Sequence, residues 1–202
     1  MSTQNIVLGI VVVIILYVLY LYYFGDATKK SLVGMHDATV PTLVSSGSLP
    51  PGASSNFTFS IWVYVSDWNY GIGKFKPIFV RAKPSGDPKV KQYCPMVKFD
   101  KNLNNVIIEQ MVYEKGKSTP SIESATLDNL PLQKWCNIIL SVNNRALDIY
   151  LDGKLVKTKY FGGVPKVDAD ADLVLTPNSN GNAQFADGFK GYTAKFMYYA
   201  RA

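Results

Sequence analysis

The sequence predicts an all-β protein, an antiparallel β-sandwich, preceded by one N-terminal transmembrane α-helix. Three stretches carry this reading. Ile6 to Phe24 is nineteen residues without a charge. Phe57 to Val65 alternates large apolar residues with polar or amphipathic ones. Trp135 to Tyr160 reads as three short strands joined by tight turns.

At about 1.5 Å per helical residue, the Ile6 to Phe24 run nearly matches a hydrocarbon core about 30 Å thick. Tyr17, Tyr20, Tyr22 and Tyr23 crowd its second half, where phenolic rings anchor at a lipid interface. No Lys or Arg precedes the run, and no small-x-small cleavage site follows it, so residues 1–25 read as an uncleaved anchor in the lipid bilayer. Lys29 and Lys30 favour a cytosolic domain, whereas Asn56-Phe57-Thr58 fits a glycosylation sequon, and topology stays open. Residues 26–55, with Ser45-Ser46-Gly47-Ser48 and Pro50-Pro51-Gly52, read as a flexible tether. The lone histidine, His36, lies in that tether as a solvated side chain.

The sandwich is expected over residues 56–202. Phe57, Phe59, Ile61, Val63 and Val65 point one way; Thr58, Ser60, Trp62 and Tyr64 point the other. Further strands are expected at Pro77 to Val80, Pro95 to Phe99, Val106 to Val112, Ser118 to Thr126 and Leu173 to Leu175, with loops at 66–76, 84–88 and 177–187. In the central stretch Ile138, Leu140 and Val142 recur at period two, Asn143-Asn144 turns the chain, and Leu147, Ile149 and Leu151 resume the alternation up to a second turn at Asp152-Gly153. The aromatic content of 13%, with 11 Pro and 15 Gly, suits many short strands joined by turns.

The stretch Leu147-Asp148-Ile149-Tyr150-Leu151-Asp152-Gly153-Lys154, behind a strand opened by Trp135, resembles the core signature of laminin-G-like, concanavalin A-like domains. Phe57 to Val63 is similar to the opening strand of that family and Phe189 to Ala202 to its closing strand. The resemblance implies a jelly-roll sandwich and says less of function, because this fold hosts lectins, glycosidases and structural modules. With the anchor, the chain resembles laminin-G-like proteins encoded by large DNA viruses. This implies a minor capsid or virion membrane component that docks to capsid proteins and links them to an inner membrane derived from a host intracellular membrane. The alternative is a membrane-tethered lectin that binds glycans.

Candidate chemistry is sparse. Glycosidases of this fold need two carboxyl groups across the scissile bond, arranged as Glu-x-Asp-x-x-Glu on one strand. Glu109, Glu114 and Glu123 have no Asp at that offset. No enzyme and no cofactor is therefore expected. Asp168, Asp170 and Asp172 alternate, so in an extended segment they share a face and form a candidate calcium site beside the plainer reading of a solvated loop. Cys94 and Cys136 form either a disulfide or buried thiols.

The net charge of +6 falls on the folded domain, because Asp26 and Asp37 cancel Lys29 and Lys30 ahead of it. Lys74, Lys76, Arg81, Lys83, Lys89 and Lys91 face one acid, Asp87. With Trp68 and Tyr70 they form a candidate binding patch for an acidic protein or a sugar, or else a solubilising face. Nucleic acid is not expected, since no recognition motif is present.

Overall fold

A computed structural model describes residues 3–24, 28–50, 55–83 and 93–202. The helix α1 (Thr3–Phe24) has 22 residues, and its described large apolar side chains are exposed on every face. Among the described residues no helix is long and apolar enough to cross a membrane. The fold therefore does not show the expected membrane span.

Fourteen strands follow among the described residues: β1 (Lys29–Val33), β2 (His36–Asp37), β3 (Thr42–Val44), β4 (Phe57–Asp67), β5 (Lys76–Ala82), β6 (Tyr93–Phe99), β7 (Val106–Tyr113), β8 (Ser121–Leu127), β9 (Trp135–Asn143), β10 (Ala146–Leu151), β11 (Lys154–Tyr160), β12 (Val164–Pro165), β13 (Asp172–Leu175) and β14 (Lys190–Tyr199). One sheet runs β1-β14-β4-β9-β10-β11, with β2 also on β14. The other runs β12-β7-β6-β5-β13-β3, with β8 on β7, and all strand pairings are antiparallel.

The alternation in β4 is reproduced residue by residue, with Phe57, Phe59, Ile61, Val63 and Val65 buried and the residues between them half-buried. Phe59 lies at the centre of the core, its ring 5.0 Å from both Phe79 and Tyr198. Phe79 in turn lies 4.9 Å from Phe196, which joins the two sheets. Each such side chain contributes about 1.5–3 kcal/mol by leaving water.

Two sequence expectations need correction. The segment 26–55 is not a tether throughout: β1 and β2 pair with β14, β3 pairs with β13, Ala38 is fully buried, and Leu32, Val33, Val44 and Leu49 pack on the core. Its polar composition hid this, because these short edge strands keep their side chains exposed or half-buried while their backbones pair with β14 and β13. Residues 51–54 lie outside the described residues. His36 is accordingly a strand residue, its ring hydrogen-bonded to the Val40 carbonyl. The first hairpin turn is displaced by one residue: Asn143 still pairs with Ala146, which leaves Asn144-Arg145 as the turn, with Asn144 at φ 54°. The second turn is where the sequence places it, and Asp152 and Gly153 both have positive φ, 50° and 79°, as a two-residue hairpin favours.

The strand β11 is the free edge of the first sheet, with Leu155, Val156 and Tyr160 exposed. Lys157 donates to the Thr126 carbonyl at 3.0 Å, and Lys159 pairs with Glu123 at 3.2 Å, so both reach across to β8 in the other sheet.

Candidate functional site

Among its described residues, the basic and aromatic patch expected near residues 68–91 is divided between the core and the surface. Lys76 is fully buried; its Nζ sits 3.9 Å over the Trp68 ring and has no hydrogen-bond partner among the described residues. Burial holds that amine below the usual lysine range. Trp68 packs edge-on against Phe99 at 5.6 Å and donates Nε1–H to the Asn102 carbonyl at 3.3 Å. Tyr70 donates its hydroxyl to the Asp187 carbonyl at 3.0 Å, and its phenol is pushed up by burial and then by the Asp187 charge.

Arg81 is buried and spends its guanidinium on Ala171 O, Tyr198 Oη and Asp168 O at 3.2–3.4 Å. Lys83 is exposed and lies 3.5 Å from Asp170, while Lys74 is exposed. Asp87, Lys89 and Lys91 lie outside the described residues. Neighbours in sequence are thus divided between core and surface, and two of the four described cations are interior.

The aspartates are likewise dispersed. Asp168 pairs with Lys166 at 2.8 Å, Asp170 faces Lys83, and Asp172 accepts the Ser46 N–H at 2.8 Å. Among the described residues no group of three or more His, Cys, Asp or Glu could hold a metal ion. Glu109 pairs with Lys98 at 2.7 Å, Glu114 accepts from Ser121 and pairs with Lys117, and Glu123 accepts the Gly162 N–H. Cys94 and Cys136 are buried and free, and burial, with the Asp168 charge, pushes the Cys94 thiol up to about 11.

The outer face of the first sheet is arranged differently. Register places side chains in rows across β14, β4, β9 and β10. Tyr199, Thr58, Ser141 and Asp148 form one row; Met197, Ser60, Ile139 and Tyr150 the next; Ala194, Trp62 and Asn137 a third; Tyr192, Tyr64 and Trp135 a fourth. The small side chains of Thr58, Ser60 and Ser141 lie between the larger Tyr199 and Tyr150 and leave an open hollow of about 490 Å³, with Arg201 at its lip. Its polar floor is pre-set: Thr58 Oγ1 donates to Ser141 Oγ at 3.1 Å, and Asn137 Nδ2 donates to Ser60 Oγ and to Ile61 O, each at 3.2 Å. A second hollow of about 440 Å³, lined by Trp62, Lys134, Trp135, Asn137 and Asp152, adjoins it at Gly153. There Asp152 accepts the Asn137 N–H at 2.8 Å and lies 3.7 Å from Lys134, and Tyr64 packs on Trp135 at 5.5 Å.

Aromatic faces beside hydroxyl and amide groups can stack on a ring while exchanging hydrogen bonds with its substituents. No Asp or Glu side chain is among the described residues lining the first hollow. Sequence reasoning had set Trp62 and Tyr64 on the outward side of β4 without treating them as a site. The signal was in the pattern Thr58-x-Ser60-x-Trp62-x-Tyr64, but its meaning needed the register with β9 and β14.

A family profile described as the concanavalin A-like lectin/glucanases superfamily matches residues 38–202. Among solved structures, the chain is similar to the botulinum neurotoxin serotype D binding domain, with 14% identity and a TM-score of 0.55 over 86% of this chain and 39% of that one. It is also similar to the endo-β-1,4-glucuronan lyase of the fungus Trichoderma reesei, with 14% identity and a TM-score of 0.56 over 85% of this chain and 79% of that one. At these identities the likeness is one of fold, and the chain spans well under half the length of the toxin domain. No curated protein matches the sequence.

Proposed function

The chain belongs to the concanavalin A-like lectin/glucanases superfamily, and on that premise we propose that it is a non-catalytic glycan-binding module carried by an N-terminal membrane anchor. The observation that carries the reading is the hollow between Tyr150 and Tyr199, with its floor of Thr58, Ser60 and Ser141. Ring faces supply apolar contact with little conformational entropy to lose, and the hydroxyls supply orientation. Non-catalysis is supported by Glu109, Glu114 and Glu123, each engaged by a separate partner.

The anchor is supported by α1, whose 22 residues reach about 33 Å at about 1.5 Å each. It is also supported by the absence of charge from Ile6 to Phe24. Glycan-array binding by the full-length protein in detergent, lost on Tyr150→Ala and Tyr199→Ala, is the expected result. Array binding that survives both substitutions, or no binding to any glycan, overturns the reading.

A second reading makes the chain a minor capsid or virion membrane protein that links an inner membrane to a shell. It is favoured by α1 and by the resemblance to viral laminin-G-like proteins. The docking patch first expected to serve it is reduced to Lys74 and Lys83 among the described residues. Proteomics of purified particles, before and after detergent extraction, tests it directly: presence in the membrane fraction supports this role, and absence from particles removes it.

A further inference from the structure

The chain path ties the hollow to the end of α1. The strand β1 starts at Lys29, whose register partner is Tyr199, one aromatic wall of the hollow. The Ala200 N–H donates to the Thr28 carbonyl at 2.8 Å, and Arg201 follows at the lip. From Phe24, the last residue of α1, to Lys29 there are five Cα steps, which span at most about 18 Å when fully extended. If α1 is embedded in a bilayer, the Tyr199 end of the hollow is therefore held close to the surface of that bilayer.

The charges at that end suit such a place. Lys29 lies 5.8 Å from the centre of the Tyr199 ring, Lys30 is its neighbour, and Arg201 adds a guanidinium. Cations beside a span are drawn to lipid phosphates. The one acid in the same row, Asp148, is held by the hydroxyl of Thr158. The hollow itself is open, and its lining combines the side chains of Tyr150 and Tyr199 with the hydroxyls of Thr58, Ser60 and Ser141.

We infer that the hollow takes the sugar headgroup of a glycolipid in the same membrane that holds α1. This rests on the glycan-binding reading and adds where the ligand is. A short tether turns recognition of a ligand at its own membrane surface into an encounter at millimolar effective concentration, which makes even a shallow hollow sufficient.

The test uses the full-length protein in phosphatidylcholine vesicles. The probes are glycolipids with glucosyl, galactosyl, lactosyl or sialyl-lactosyl headgroups that carry a diazirine on the sugar, and the same headgroups as free sugars. The expected result is photo-crosslinking to the peptides bearing Tyr150 and Tyr199. Crosslinking should be abolished by the Tyr150→Ala, Tyr199→Ala double variant, and should fall about tenfold when a long flexible Gly/Ser segment is inserted after Gly25. Free sugars that bind in solution, without crosslinks from the membrane, overturn this inference and leave the glycan-binding reading standing. Absence of both overturns the two together. Crosslinks indifferent to the tyrosines reflect proximity to lipid alone, and crosslinks indifferent to the insertion remove the short-tether argument; either result overturns the inference.

Discussion

Trp68 and Trp62 lie six positions apart and do opposite things. Trp68, in the loop after β4, has its face covered by the Lys76 ammonium at 3.9 Å, its edge against Phe99 and its N–H on the Asn102 carbonyl. Trp62, on the outer face of β4, stays half-buried beside Asn137 in the second hollow. The same division separates Tyr70, donated to Asp187, from Tyr150 and Tyr199, which wall the first hollow. Aromatic and basic residues clustered in sequence engage one another and build the end of the sandwich. Those spread over four strands, two residues apart, line the hollows on the outer face of the first sheet.

The comparison breaks most visibly at Trp68. Trp68→Ala is expected to destabilise by about 3 kcal/mol, toward the low end for a large aromatic because the ring is only half-buried, and to leave glycan affinity per folded molecule unchanged. Denaturant unfolding beside a binding titration checks both, and a stable variant with lost binding would return the site to the loop. Tyr199→Ala is the mirror image. It should cost at least tenfold in glycan affinity, about 1.4 kcal/mol, with less than about 1 kcal/mol of stability.

Lys76→Met sharpens the contrast through pH. Burial lowers the folded-state amine below its ordinary 10.5. The charged form is therefore disfavoured by folding, and the native protein carries this cost at every pH below the folded-state value. The variant should be about 1 kcal/mol more stable at pH 7, the lost cation–π contact offsetting part of the gain. That advantage should shrink as pH climbs through the depressed value toward 10.5, which thermal melts at several pH values would register. Lys74→Glu should move stability by less than about 0.5 kcal/mol and binding not at all, as an exposed charge away from the hollow.

The core of the sandwich was legible from local pattern. Period-two burial in β4 and the Asp152-Gly153 turn are properties of single strands and single hairpins, and both are where the sequence puts them. The family match over residues 38–202 agrees with the resemblance read from Leu147 to Lys154. The short strands β1 to β3 were not legible, because their stability comes from β13 and β14, more than a hundred residues away. The same distance hid the hollow: Thr58 meets Ser141 on one side and Tyr199 on the other, and no window of sequence holds all three. The patch at Lys74, Lys76, Arg81 and Lys83 failed for the converse reason. Adjacency along a chain does not say which side chains the core will take, and it took Lys76 and Arg81.

The free edge at β11 carries its own consequence. The side of β11 away from β10 has no further strand beside it among the described residues, and with Leu155, Val156 and Tyr160 exposed it is a template on which a second chain could add a strand. Lys154, Lys157 and Lys159 guard it by mutual repulsion between copies, and the reach of Lys157 and Lys159 to β8 holds the edge against the opposite sheet. Acetylating the three lysines removes the positive charges and the ion pair of Lys159 to Glu123 in one step, and the expected outcome is a rise in light scattering from concentrated solutions before any loss of the fold.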